Sequence, residues 1–442
     1  MTTCPALLIS APASGQGKTT VVAALARLLA RQGLRVQVFK CGPDFIDASW
    51  HALASGQAVY QLDLWINGQA DIRARLHRAA QHNDVILVEG VMGLYDGQPS
   101  SADIARCFGL PVMPVISARA MAGTFGALAF GLQHFQDAKH APLRWAGVLG
   151  NQIGSASHAQ MLADSLPSAD DFLGAIPYQS DFSLPERHLG LTLPAELENG
   201  LARLDQLADA LAQTPLGQMD VAAWQSRFAV DFAAPEAQAM PPLLAGKTIA
   251  IARDAAFCFI YQANLDCLAE MGAQLRFFSP IAKETLPPCD ALWLPGGYPE
   301  LHLETLNASG QTLVDIAAHV QAGKTVWAEC GGMMQLFDTI ALKDGSSHPA
   351  WGLLPGSVAM QKRFVGLGSQ GWDTPQGVLR GHTFHHSRTS TTLAPIAHTL
   401  HAKTAQTGEA VYRLGSIQAS YFHPWFASNP QASAALFGVT LC

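Results

Sequence analysis

Short apolar runs alternate with segments of helical spacing through the first half of the chain. Ala6–Ser10, Arg35–Phe39, Val85–Val88, Val112–Ile116 and Trp145–Leu149 read as strands buried on both faces. Strands of that kind separated by helices predict a parallel sheet with helical layers. From Leu201 to Ala212, leucines and alanines recur at helical spacing; Ala233–Pro242 is then Pro/Ala-rich and without pattern, as a linker is. The alternation restarts with strands over Thr248–Ala252, Gln274–Phe278, Ala291–Leu294 and Thr325–Trp327, so a second α/β domain is expected from near Gly246. The expected division is residues 1–195, a helical segment and linker over 196–245, and 246–442. The two halves share a style of alternation but no repeated motif.

Length agrees with that division, because 442 residues exceed what one hydrophobic core usually organises. With 49% hydrophobic and 14% charged residues, the composition is that of a compact enzyme and excludes a disordered chain. A net charge of −7 and the absence of Lys/Arg runs argue against a nucleic-acid partner. The eight cysteines, Cys4, Cys41, Cys107, Cys258, Cys267, Cys289, Cys330 and Cys442, form no CxxC pair, which argues against a zinc site. No basic segment followed by an apolar core opens the chain, and Arg27 and Arg31 interrupt the apolar stretch at 21–26. The expectation is a cytoplasmic protein with reduced thiols and no membrane partner.

Candidate chemistry gathers where strands end. The strand at Ala6–Ser10 runs into Ser14-Gly15-Gln16-Gly17-Lys18-Thr19-Thr20 and then a helical pattern, the setting of a phosphate-binding loop. Ser14, Gly15, Gly17, Lys18, Thr19 and Thr20 are the expected nucleotide contacts. Glycines turn backbone N–H groups towards phosphates, Lys18 neutralises charge, and the Thr19 hydroxyl reaches Mg²⁺. Pro12 occupies the first glycine position of that motif. After the next strand, Lys40-Cys41-Gly42-Pro43-Asp44-Phe45-Ile46-Asp47 crowds a lysine and two carboxylates at a sheet edge where ligands bind. Glu89 ends the strand Val85–Val88 opposite the loop and, with Thr19 and Asp44, is an expected Mg²⁺ ligand. Lys40, Asp47 and Asp96 are expected to serve the substrate. Asn151, after Val148-Leu149-Gly150, either reads a base edge or begins a turn.

In the second half, Thr325–Ala328 leads through Glu329-Cys330-Gly331-Gly332 into a helical pattern, placing Cys330 at a strand-to-helix elbow. The helix N-terminus is expected to favour its thiolate. His423, in Ser420-Tyr421-Phe422-His423-Pro424, is the candidate base and acid. Leu294-Pro295-Gly296-Gly297 supplies a turn whose Gly297 amide, with that of Gly331, suits an oxyanion hole.

Together with Glu89-Gly90-Val91-Met92-Gly93-Leu94-Tyr95-Asp96-Gly97, Gly297-Tyr298-Pro299-Glu300 and Gly381-His382-Thr383-Phe384-His385, these motifs resemble the cobyrinic and hydrogenobyrinic acid a,c-diamide synthase family over nearly the full length. The resemblance implies a dethiobiotin-synthetase-like P-loop domain followed by a class I glutamine amidotransferase domain, both α/β. It implies Cys330 as glutaminase nucleophile, His423 as the residue that raises its nucleophilicity, and Lys18 with Thr19 as the nucleotide clamp. The implied reaction amidates the a and c acetate groups of a corrinoid with ATP and glutamine. An acyl phosphate is formed, and ammonia travels by a protected path. A homodimer is among the expectations. Class I enzymes generally carry a Glu two residues after the histidine; Trp425 stands there, so a carbonyl or a distant acid has to orient the ring. Cobyric acid synthase resembles the chain in domain order, but the Lys40–Asp47 run favours the a,c enzyme. A P-loop regulator with an inert second half is disfavoured by intact Cys330 and His423 and by Ala13, where partitioning ATPases carry a lysine.

Overall fold

A computed structural model describes residues 1–135, 141–179, 186–187, 190–197, 199–236 and 239–440; Cys442 and residues 237–238 of the expected linker lie outside the described residues. The chain forms two compact units, Met1–Leu64 with Gly68–Glu236, and Trp65–Asn67 with Ala237–Cys442.

In the first unit seven strands are parallel, in the order Tyr60–Leu62, Val36–Cys41, Val85–Glu89, Thr2–Ser10, Val112–Ser117, Val148–Ile153, Phe172–Pro177. The chain leaves Thr2–Ser10 towards one edge and later continues to the other, so a crevice opens beyond the carboxyl end of that strand. Alternate residues of the strands feed two apolar layers. Leu7 and Ile9 pack with Val22, Leu25 and Leu29 of the helix Lys18–Arg31, while Ala6 and Leu8 pack with Ile72, Leu76 and Phe125 on the other face. The strand expected at Trp145–Leu149 begins later than its apolar run suggested. Trp145 makes only an isolated bridge to Val112, and the paired segment is Val148–Ile153.

The first unit also extends further than expected. The helix Gly200–Ala212 buries Leu204, Leu207, Ala208 and Leu211 in the core beside the phosphate-loop helix, and Arg27 Nε donates to Asp205 Oδ1 at 2.7 Å. Ala229–Phe232 then pairs antiparallel with the start of Thr2–Ser10. Residues 200–212 and 229–232 therefore belong to core and sheet: the stripe of Leu and Ala at helical spacing is a buried face.

The second unit holds a ten-stranded mixed sheet. Gln274–Phe278, Thr248–Ala252, Ala291–Leu294, Thr325–Glu329 and Ile417–Ser420 are parallel neighbours in that order. Thr407–Leu414, Ala397–His401, Gly366–Thr374, Gly377–His385 and His423–Pro424 extend it antiparallel. A four-stranded sheet of Ser347–Pro349, Thr339–Ala341, Ser357–Met360 and Ser387–Ser390 accompanies it. Apolar runs marked the parallel part; the antiparallel part is polar on one face and lacks that signal, as in Gly366–Thr374 (GLGSQGWDT).

Because Leu207 is wholly buried, Leu207→Ala is expected to lower unfolding stability by about 2–5 kcal/mol in urea titration. A loss below about 0.5 kcal/mol would mean that the helix is a solvated connector after all.

Candidate active site

The loop between Thr2–Ser10 and Lys18–Arg31 turns on Gly15 and Gly17, at φ 77° and 86°, a region that side chains rarely enter. A Cβ on Gly17 would also overlap Asn151 Nδ2. Neighbouring strand ends brace the loop: Asn151 Nδ2 donates to Gln16 O at 2.9 Å, and the Ser117 amide donates to Gln16 Oε1 at 2.8 Å. Asn151 thus holds the loop, a task that neither sequence-based alternative included. Ser14 and Gly15 are exposed at the tip, Thr20 is half-buried on the helix, and Lys18 Nζ donates to Met92 O at 2.6 Å. Burial lowers the Lys18 pKa, against the pull of Glu89.

Glu89 ends its strand in register with Ile9 on one side and Lys40 on the other, wholly buried. Its carboxylate accepts from Thr19 Oγ1 at 2.7 Å, lies 3.4 Å from Lys40 Nζ, and bonds to His51 Nε2. Burial alone would raise its pKa; Lys40, His51 and Thr19 outweigh burial and hold it at about 2. Lys40 Nζ also lies 3.0 Å from Asp47 Oδ2, and the surrounding carboxylates overcome burial to keep it protonated. Asp44 Oδ1 accepts from the amides of Ile46 at 2.8 Å and Asp47 at 2.9 Å, at the start of the helix Ile46–Ser55. Burial and the nearby Asp47 raise the Asp44 pKa to about 6. His51 is the residue that sequence reasoning missed; its signal was its place one turn after Asp47 on that helix. Asp96 Oδ2 accepts from the Gly93 amide at 2.8 Å, in a turn that the Leu94 amide ties to Ala11 O at 2.8 Å.

The donors near the loop are hard oxygens, from the Thr19 hydroxyl and the Glu89 carboxylate, with the Asp44 carboxylate at the start of the helix Ile46–Ser55. Among the described residues no group of three His, Cys, Asp or Glu is arranged to hold a metal by itself. That set fits Mg²⁺, which binds through one or two carboxylates together with phosphate oxygens.

In the second unit Cys330 follows the strand Thr325–Glu329 and precedes the short helix Gly331–Leu336, at φ 44° and ψ −109°. A non-glycine residue in this region is strained, as at other nucleophile elbows. The two glycines after it permit close packing. A Cβ on Gly332 would overlap Leu294 O, and one on Gly331 would lie 2.8 Å from Gly297 O and 2.9 Å from Gly297 N. The two expected oxyanion-hole residues therefore lie side by side. The Cys330 amide donates to Ser420 O at 2.8 Å, and the chain beyond Ser420 leads to His423.

Burial works against the expected thiolate. Cys330 is buried, and desolvation together with Glu300, Glu409 and Glu329 raises its pKa well above the ordinary thiol value, whereas the Gly331 amide only partly offsets this. A six-residue helix does not outweigh that burial.

His423 Nδ1 lies 3.2 Å from Glu329 Oε2, both side chains being buried. Trp425, at the position of the usual Glu, is core and packs edge-on against Tyr261. His382, from the Gly381–His385 motif, stacks on His423 with centroids 5.0 Å apart; burial and His423 push its own pKa well below the usual value.

Residues 7–191 match the CobQ/CobB/MinD/ParA nucleotide binding domain, and residues 248–431 match the CobB/CobQ-like glutamine amidotransferase domain. These two domains, in this order, define a glutamine-hydrolysing ligase with a nucleotide-binding first unit. Hydrogenobyrinate a,c-diamide synthase of Stutzerimonas stutzeri is 53% identical over 98% of both chains. The enzyme of that name from Pseudomonas aeruginosa is 52% identical over 98% of this chain and 97% of its own. Cobyrinate a,c-diamide synthase of Herminiimonas arsenicoxydans is 50% identical over 98% of this chain and 96% of its own. The chain belongs to the hydrogenobyrinate and cobyrinate a,c-diamide synthase family.

With burial raising its thiol pKa, Cys330 is expected to react with iodoacetamide more slowly at pH 7 than the half-buried Cys258, and its rate should still be rising above pH 9.0, as followed by peptide mass mapping. Rapid alkylation at pH 7 that levels off below pH 8 would show a preformed thiolate instead.

Proposed function

We propose that this protein amidates the a and c acetate carboxylates of hydrogenobyrinic or cobyrinic acid, in the cytoplasm, with ATP and glutamine-derived ammonia. The observation that carries the reading is the buried Glu89 carboxylate, which gathers Thr19 of the phosphate loop, Lys40 and His51 in one cluster. Such a cluster at the end of a parallel sheet suits phosphoryl transfer to a carboxylate, giving an acyl phosphate that ammonia can displace. The loop amides and Lys18 bind and orient the phosphates. Thr19, Glu89 and Asp44 are the residues that would hold Mg²⁺, whose contribution when bound is to neutralise charge on the phosphoryl group. Lys40 answers carboxylate charge, while Asp47 and Asp96 orient the reacting group; a corrinoid polyanion gains little from acids in any other role. In the second unit, Cys330 attacks the glutamine amide, His423 moves the proton, and the amides of Gly297 and Gly331 receive the oxyanion. The reading includes a homodimer, checked by light scattering.

Lys18→Ala is expected to block amidation from glutamine and from ammonium alike, and to abolish positional oxygen exchange in ATP measured with the corrinoid acid and no nitrogen donor. Normal exchange would remove Lys18 from phosphoryl transfer. Glu89→Gln should change the Mg²⁺ dependence of that exchange, and an unchanged dependence would remove its metal role.

Asp47→Asn is expected to stall the reaction at a monoamide, or slow acyl-phosphate formation, by about tenfold or more while corrinoid affinity changes less. Mass spectrometry of products beside a binding titration measures both. A full diamide yield with only weaker binding would contradict the positioning role. Failure of the parent to amidate either corrinoid acid would overturn the substrate assignment.

A further inference from the structure

We infer that Glu329, the residue immediately before the nucleophile, is the positioning acid that completes a Cys330–His423–Glu329 triad. The inference rests on the glutaminase reading of Cys330 and His423. Trp327 and Glu329 are two apart on one strand and so project to the same face. Trp327 Nε1 donates to Glu329 Oε1 at 2.7 Å, which fixes the carboxylate and leaves Oε2 to face His423 Nδ1 at 3.2 Å. Glu329 is 2% and His423 1% exposed, so neither group has water as an alternative partner.

The ring is held from other sides as well. His382 stacks on one face, Phe259 approaches edge-on at 6.4 Å, and Gly296 lies so close that a Cβ there would overlap Cε1 and come within 3.3 Å of Nε2. With Nδ1 turned to Glu329, Nε2 faces the Gly296–Gly297 turn, against which Gly331 also packs. Nδ1 donates to the carboxylate, and this tautomer leaves Nε2 free of its proton and able to accept one.

The chemistry balances without proton transfer to Glu329. Cys330 Sγ forms a bond to the glutamine δ-carbon as its proton passes to His423 Nε2. The imidazolium returns that proton to the departing nitrogen as the C–N bond breaks, giving ammonia and a thioester that water then hydrolyses to glutamate. Glu329 stays ionised and stabilises the imidazolium between the two transfers.

The test is steady-state glutaminase kinetics of the full-length protein with Glu329→Gln, Glu329→Asp and Cys330→Ala, each checked for a cooperative melt. Glu329→Gln is expected to lower kcat by about 10²–10⁴-fold with KM for glutamine within about threefold, and Glu329→Asp to recover part of kcat. A kcat for Glu329→Gln within about threefold of the parent, with Cys330→Ala inactive, would overturn the triad while leaving the nucleophile in place. An active Cys330→Ala would overturn the glutaminase reading, and the triad with it. Should Glu329→Gln not melt cooperatively, the histidine NMR spectrum of the parent decides. A downfield Nδ1 proton, assigned to His423 by its loss in His423→Gln, supports the triad, and a His423 ring protonated only at Nε2 overturns it.

Discussion

A carboxylate sealed from water has to be answered by the protein, and Glu89 is answered from three directions. Thr19 reaches it from the phosphate-loop helix, Lys40 from the adjacent strand and His51 from the helix Ile46–Ser55. Leaving such a charge without partners costs several kcal/mol, so the three elements are held in one arrangement. The phosphate loop and the Lys40–Asp47 segment are far apart in sequence. Their registry at the sheet edge follows from a single buried acid.

The second unit repeats the device on a different sheet. Glu329 also ends a central parallel strand, is also buried, and also meets a histidine. The surroundings set the two acids apart. Lys40 beside Glu89 depresses its pKa, whereas at Glu329 burial dominates and raises the pKa against the pull of His423 and Trp327. One carboxylate is therefore a fixed negative anchor beside the phosphate loop, and the other is held between an indole and an imidazole.

Much of this was legible in the chain because the chemistry sits where apolar strands stop. The phosphate loop, Glu89, Lys40, Cys330 and the Gly296–Gly297 turn all follow runs that read as parallel strands, and the strands are there. What escaped is what depends on pairing between distant segments. His51 is an ordinary helix residue until Lys40 and Glu89 are seen beside it, and Glu329 reads as the end of a strand until His423 arrives 94 residues later. The helix Gly200–Ala212 looked like part of a connector because its pattern shows that one face is buried without saying against what. The burial of the Cys330 thiol was hidden for a similar reason. Spacing reveals the helix end, but the desolvation that opposes it comes from the whole surrounding core.

The burial of Cys330 has a consequence for its oxidation. Oxidation of cysteine to sulfenic acid and beyond starts from an accessible thiolate. A thiol that is 4% exposed, with its pKa raised by burial, offers peroxide little to attack. The same core that packs the strand-to-helix elbow therefore shields its sulfur from the first step of oxidation.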